Sequence, residues 1–140
     1  MDYRRIDNTI IGRIDTGDSL AKAIEEIAKK ENVKTAFITG VGAAKHLDIG
    51  CYQFSKQVYV PYSLDGDFEI TSLVGNITTK DGEFYLHLHI TAADDDCKMY
   101  GGHFNDAIIS GTCELNIQVL DCVVDRKLDT STGVNIFDFK

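Results

Sequence analysis

Three of the chain's four histidines lie in one stretch, FYLHLHITAADDDCKMYGGHF from Phe84 to Phe104. In an extended strand successive side chains point to opposite faces. Phe84, Leu86, Leu88 and Ile90 then share an apolar face, while Tyr85, His87, His89 and Thr91 share the other. Imidazoles at i and i+2 start about 6 to 7 Å apart at the backbone, a separation that two ligands of one metal ion can span. His103 follows Gly101-Gly102 after the turn-rich Asp94-Asp95-Asp96, so the chain can fold back and bring a third ring to the pair. Glycine suits that return because it enters positive φ freely and lets backbones approach closely. The competing reading is a half-buried strand whose polar face meets water. His-x-His with a distant third histidine is a weaker pattern than paired CxxC or an HExxH helix.

Positioning those rings requires a domain with a core. The 140 residues, 44% of them hydrophobic, suffice for one domain spanning 1–140. No apolar run approaches the roughly 18 residues of a membrane span. The start, MDYRRIDNTIIG, has no secretory apolar stretch. Cys51, Cys97, Cys113 and Cys122 are scattered without CxxC pairing, which fits thiols in a reducing compartment. The expectation is a soluble, cytoplasmic protein without a membrane partner. A formal net charge of −8, from 22 acidic and 14 basic residues, opposes direct nucleic-acid binding, because that affinity comes mainly from Lys and Arg neutralising phosphates. Lys29-Lys30 and Arg126-Lys127 read as solvated pairs.

The pattern predicts a first strand over residues 4–14 and a turn at Asp15-Thr16-Gly17-Asp18. A helix follows, capped by Asp18 or Ser19, with Leu20, Ala23, Ile24, Ile27 and Ala28 on its apolar face. Val33 to Thr39 reads as a strand ending at Gly40-Val41-Gly42. That GxG lacks the third glycine and the following helix of a dinucleotide site, so a tight turn or close chain passage is the better reading. Two short strands surround Ser55-Lys56, and Pro61 marks a loop running through Asp65-Gly66-Asp67. Phe68 to Thr78 is a strand bent near Gly75, and Asp81-Gly82 turns it into the histidine strand. Alternation resumes from Ala107 to Leu120, and the tail after Cys122 is irregular enough to cover the sheet or a neighbour. The sum is an α+β domain, a curved and mostly antiparallel sheet packed with one main amphipathic helix.

In order and spacing these motifs resemble the plant and prokaryote conserved (PPC) domain family. The likeness rests on Gly17-Asp18-Ser19-Leu20, Thr39-Gly40-Val41-Gly42-Ala43, Leu47 to Tyr52, Phe68-Glu69-Ile70 and Gly75-Asn76-Ile77. Its most specific parts are His87-Leu88-His89 and Gly101-Gly102-His103-Phe104. The resemblance implies a homotrimer and a metal site at His87, His89 and His103. Zn2+ suits such a set, since three neutral imidazoles leave one open position. Glu114 resembles a family acidic position and is the candidate catalytic residue, though an exposed strand residue would look the same. The family's DNA-binding label derives from members carrying AT-hooks, a Gly-Arg-Pro core between basic residues, and no such hook occurs here. His46 matches no family motif and reads as an ordinary loop residue.

Two functions are compatible with these residues. In one, the three histidines hold zinc for hydrolysis of a small molecule or for binding an anionic ligand. Glu114 or one of Asp94, Asp95 and Asp96 would orient the rings or accept a proton. In the other, the chain is a non-catalytic, DNA-associated or transcription-related assembly module acting through partners.

Overall fold

Alternating polarity turns most of this chain into antiparallel strands, with one helix laid against them. A computed structural model describes residues 1–139. The elements run β1 (Asp2–Ile6), β2 (Thr9–Ile14), α1 (Leu20–Lys30), β3 (Thr35–Gln53), β4 (Val58–Lys80), β5 (Glu83–Ala93), β6 (Met99–Leu120), β7 (Asp125–Asp129) and β8 (Val134–Asp138). The main sheet has the order β1-β2-β6-β3-β4-β5 and curls until β6 also pairs with β5. β7 and β8 form a separate hairpin. The α+β class and the single helix are as expected.

The core fills the concave side. Ile10, Ile14, Ile38, Leu47, Leu73, Ile77, Leu88, Ile109 and Ile117 are fully buried there with Leu20, Ile24 and Ile27 of the helix. Each such side chain contributes roughly 1.5–3 kcal/mol relative to an exposed one. Of the two expected caps, Ser19 accepts from the Lys22 N–H at 3.3 Å. Asp18 instead receives the N-terminal amine at 3.1 Å. Asp106 of β6 accepts from the Ser19 hydroxyl at 2.7 Å and the Ala21 N–H at 3.0 Å. That carboxylate pins the start of α1 to the sheet where helix amides favour negative charge.

Three expectations are corrected. The first strand is a hairpin, broken at Asp7, whose φ of 52° supplies the reversal. Pro61 lies inside β4, opposite Gly50 of β3. β5 joins β4 only from Glu69 onward, so the other edge of β4 at Pro61 needs no N–H for a second neighbour. Gly40-Val41-Gly42 is not a turn either, since β3 runs through it with a register shift. Close passage is what its glycine serves: a Cβ on Gly42 would stand 2.4 Å from the Thr112 carbonyl oxygen and 2.6 Å from the Cys113 Cα.

Those obstacles are backbone and cannot swing aside. Gly42→Ala is therefore expected to destabilise the fold by about 1–3 kcal/mol in chemical denaturation. Gly111→Ala, whose Cβ would meet only the Ala43 Cβ at 3.6 Å, should change stability little.

Candidate metal centre

His87 and His89 project from the same face of β5, as alternation requires, with Leu88 and Ile90 buried on the other. His89 is the direct cross-strand partner of His103, and His103 also faces Gly50 of β3. The first residues of β6 thus lie between β5 and β3. Gly102 permits the approach, because a Cβ there would be 2.5 Å from the Gly50 carbonyl oxygen. One ring nitrogen from each of His87, His89 and His103 lies within 4.8 Å of the others. The ring centroids are 5.3 to 5.6 Å apart.

A cavity of about 560 Å³ opens in front of the rings. Its walls are largely aromatic, from Tyr52, Phe54, Tyr59 and Tyr85. Tyr59 meets His103 edge-on at 5.8 Å and is held by the Asn105 amide, which donates to its hydroxyl at 2.7 Å. The far wall comes from the tail, through Gly133, Val134 and Asn135. The tail that looked irregular in sequence is therefore the β7–β8 hairpin closing this cavity. Its tip is tied to the β3–β4 tip by the Gln57 amide, donating to the Ser131 carbonyl at 3.2 Å.

Arg126 is the residue the sequence reading missed. Far from being solvated, it is only 5% exposed. Its Nε donates to the Thr78 hydroxyl at 2.8 Å, one terminal nitrogen to the Asn135 carbonyl at 2.9 Å and the other to the Asn76 side-chain oxygen at 2.8 Å. The guanidinium is flanked by the rings of Tyr85 and Phe137, 4.8 and 4.6 Å from their centroids. A terminal nitrogen stands 3.5 Å from His87 Nδ1. The sequence carried no signal for it: one buried position in a five-residue strand, with Lys127 and Leu128 both exposed, sets up no period that separates Arg126-Lys127 from a solvated pair.

These surroundings favour the neutral form of His87 and His103. Burial, then the Arg126 charge, then the other two histidines push His87 down to about 4. Burial and His89 lower His103 as well. A neutral imidazole keeps the lone pair that a metal ligand needs. Zinc–nitrogen bonds of about 2.0–2.1 Å require donors within about 4 Å of each other, so small ring rotations would complete the set. The triad fits a divalent ion of this kind.

The acidic candidates are not brought to the rings. Glu114 pairs with Arg13 and Val41, far along β6 from His103, and is not among the residues lining the cavity. Asp94 binds its own turn, accepting from the Asp96 and Lys98 amides at 3.0 and 2.8 Å and from the Tyr100 hydroxyl at 3.1 Å. Asp96 pairs with Lys98 at 2.8 Å, and Asp95 is exposed. No carboxylate lines the cavity among the described residues. Of the cysteines, Cys51 is at the cavity wall, and none of the four is bridged.

His46 is not a loop residue but part of β3, between two carboxylates. Its Nδ1 is 2.6 Å from Asp65 and its Nε2 3.2 Å from Asp48. The Asp65 hydrogen bond is the largest cause of a raised pKa, only partly opposed by desolvation. Folding thus favours the protonated ring. The stability it adds is complete below the unfolded value of about 6.5 and is lost as pH rises through the folded value. In proton NMR the His46 titration should have a midpoint above about 6.5, and Asp65→Asn should move it down.

Comparison with known proteins places this geometry among solved relatives. Residues 1–121 match the family model of the Plants and Prokaryotes Conserved (PCC) domain. A candidate DNA-binding protein from Bacteroides thetaiotaomicron is 29% identical, with a TM-score of 0.95 over 99% of this chain and 96% of that one. A metal-containing protein from Archaeoglobus fulgidus is 29% identical, with a TM-score of 0.89 over 99% of both chains. A plant- and prokaryote-conserved protein from Pyrococcus horikoshii is 28% identical, with a TM-score of 0.85 over 99% of this chain and 94% of that one. Among curated proteins, none matches this chain.

Proposed function

The chain belongs to the Plants and Prokaryotes Conserved (PCC) domain family, and from that premise we propose that it is a metal-dependent binding protein or hydrolase for a small molecule. The observation that carries this reading is the convergence of His87, His89 and His103 at the floor of an aromatic-walled cavity. The Archaeoglobus fulgidus relative, called metal-containing, supports it. Zinc is the favoured ion because the donors are three neutral imidazoles. Bound there, it would supply Lewis acidity and an open coordination position.

The protein's own residues do the rest. β5 fixes two rings by alternation, and Gly102 allows His103 to reach them. Tyr59 and Tyr85 supply aromatic walls, and the β7–β8 hairpin supplies the far wall through Gly133, Val134 and Asn135. With no carboxylate at the cavity wall, any proton acceptor must come from the tyrosines, a ring, the ligand itself or solvent. Glu114 lies too far along β6 to serve this site within one chain.

We further propose a homotrimer. Ile11, Phe37, Val41 and Val74 are each about half exposed on the convex side of the sheet. Ile11, Asn116, Thr39, Val74 and His89 follow one cross-strand row, so the apolar patch runs up to the histidines. Patches of this kind mark interfaces. The same patch favours a second reading, a non-catalytic assembly module that works through protein partners. The Bacteroides thetaiotaomicron relative is named as a candidate DNA-binding protein, but a net charge of −8 opposes direct contact with phosphates.

Chelator-free protein supplied with zinc should retain about one ion per chain by elemental analysis, and less than about a tenth would overturn the metal reading. Replacing His87 and His103 with alanine should abolish retention while leaving the oligomer intact; loss of the oligomer would make the histidines structural. In sedimentation the wild type should have the mass of a trimer and Val74→Asp that of a monomer. A monomeric wild type would remove the assembly proposal.

A further inference from the structure

The donor set suits a dication, yet among the described residues no carboxylate lines the cavity to offset the charge. Arg126 is 95% buried by its 5% exposure, and its acceptors are a hydroxyl, a backbone carbonyl and a side-chain amide, all neutral. Among the described residues it has no carboxylate partner within ion-pair distance, and the aromatic rings on either side counter it only weakly. A buried charge without a counter-charge is costly unless something else completes it. The cavity wall has no acidic side chain to do so. A metal ion at the triad would add positive charge to a half-buried site that already has a cation behind His87.

We propose, on the reading of the triad as a metal site, that the occupant of the cavity is a small organic carboxylate, selected by the fixed charge of Arg126 behind His87. The negative group would lie at the triad, where metal and arginine potentials add. The organic part would pack on Tyr52, Phe54, Tyr59 and Tyr85, and about 560 Å³ accommodates a molecule of modest size. A carboxylate suits the site better than a phosphate. Phosphate sites gather several N–H donors, whereas the amide of Asn135 is already engaged, donating to the Tyr85 hydroxyl at 3.3 Å.

Arg126 is here a positioning residue that acts through the field and through His87. It belongs to β7, beyond residues 1–121 that match the family model. Selectivity would therefore be set by the tail hairpin, while the ligand atoms come from the shared domain.

The test uses the full chain loaded with Co2+, with benzoate as the probe and benzamide as its uncharged counterpart, followed by the visible cobalt bands. Wild type should bind benzoate at least tenfold more tightly than benzamide. Arg126→Gln should weaken benzoate roughly tenfold and leave benzamide unchanged, while Arg126→Lys should recover most of the loss. Equal benzoate affinity in wild type and Arg126→Gln, an equal loss for both probes, or tighter binding of inorganic phosphate than benzoate would overturn the proposal. Circular dichroism reports whether Arg126→Gln folds; if it does not, the benzoate-to-benzamide ratio in wild type decides, and a ratio of one or less overturns it. If wild type takes up no cobalt, the metal reading falls by itself. Benzoate titrated into the metal-free protein and followed by the histidine ring protons then decides: saturable binding in preference to benzamide supports the carboxylate assignment, and its absence ends it.

Discussion

The structure depends on one strand making hydrogen bonds to three neighbours in turn. β6 is long enough to pair with β3 from His103 to Leu120, with β2 from Cys113 to Gln118 and with β5 from Met99 to His103. That double allegiance curls the sheet, encloses the isoleucine-rich core and puts His103 against His89. It works only where backbones can come unusually close. Gly42 at one crossing and Gly102 at the other leave no room for a Cβ. The centre is therefore a by-product of sheet closure: three rings converge because the strands that hold them have nowhere else to go.

Strand geometry makes the donors, and the tail makes the environment. The hairpin of β7 and β8 places Arg126 beneath His87 and closes the cavity beside the aromatic side chains of the β3–β4 tip. The guanidinium gains hydrogen bonds and two ring faces but, among the described residues, no counter-charge. In a medium of lowered dielectric that matters more than the acidity of the whole chain, since a surface excess of carboxylates is screened within about 10 Å at ordinary salt. A protein of formal charge −8 can in this way hold a locally electropositive site.

Much of this was legible in the residues. Alternation from Phe84 to Thr91 specified both faces of β5, and spacing from Leu20 to Ala28 specified the helix, because each pattern depends on neighbours only a few positions apart. Pro61 misled because its rule concerns paired strands, and whether a strand has one neighbour or two is not written near the proline. Glu114 misled for a related reason: position along a strand, not the identity of the strand, decides whether a side chain reaches a site. Arg126 was overlooked because a charged pair in a short polar segment ordinarily faces water, and its burial comes from contacts with Thr78, Asn76 and Tyr85, remote in the chain.

By itself the sequence determined which side chains could act: three imidazoles, two on a common strand face and one after a glycine pair, within an α+β frame. Local stereochemistry fixes such things, since the pleat and the helical turn repeat whatever lies beyond them. Tertiary structure alone decided that the rings share one cavity, that the acids do not join them and that an arginine does. Those outcomes follow from sheet closure and the docking of the tail, which bring together residues with no local pattern in common.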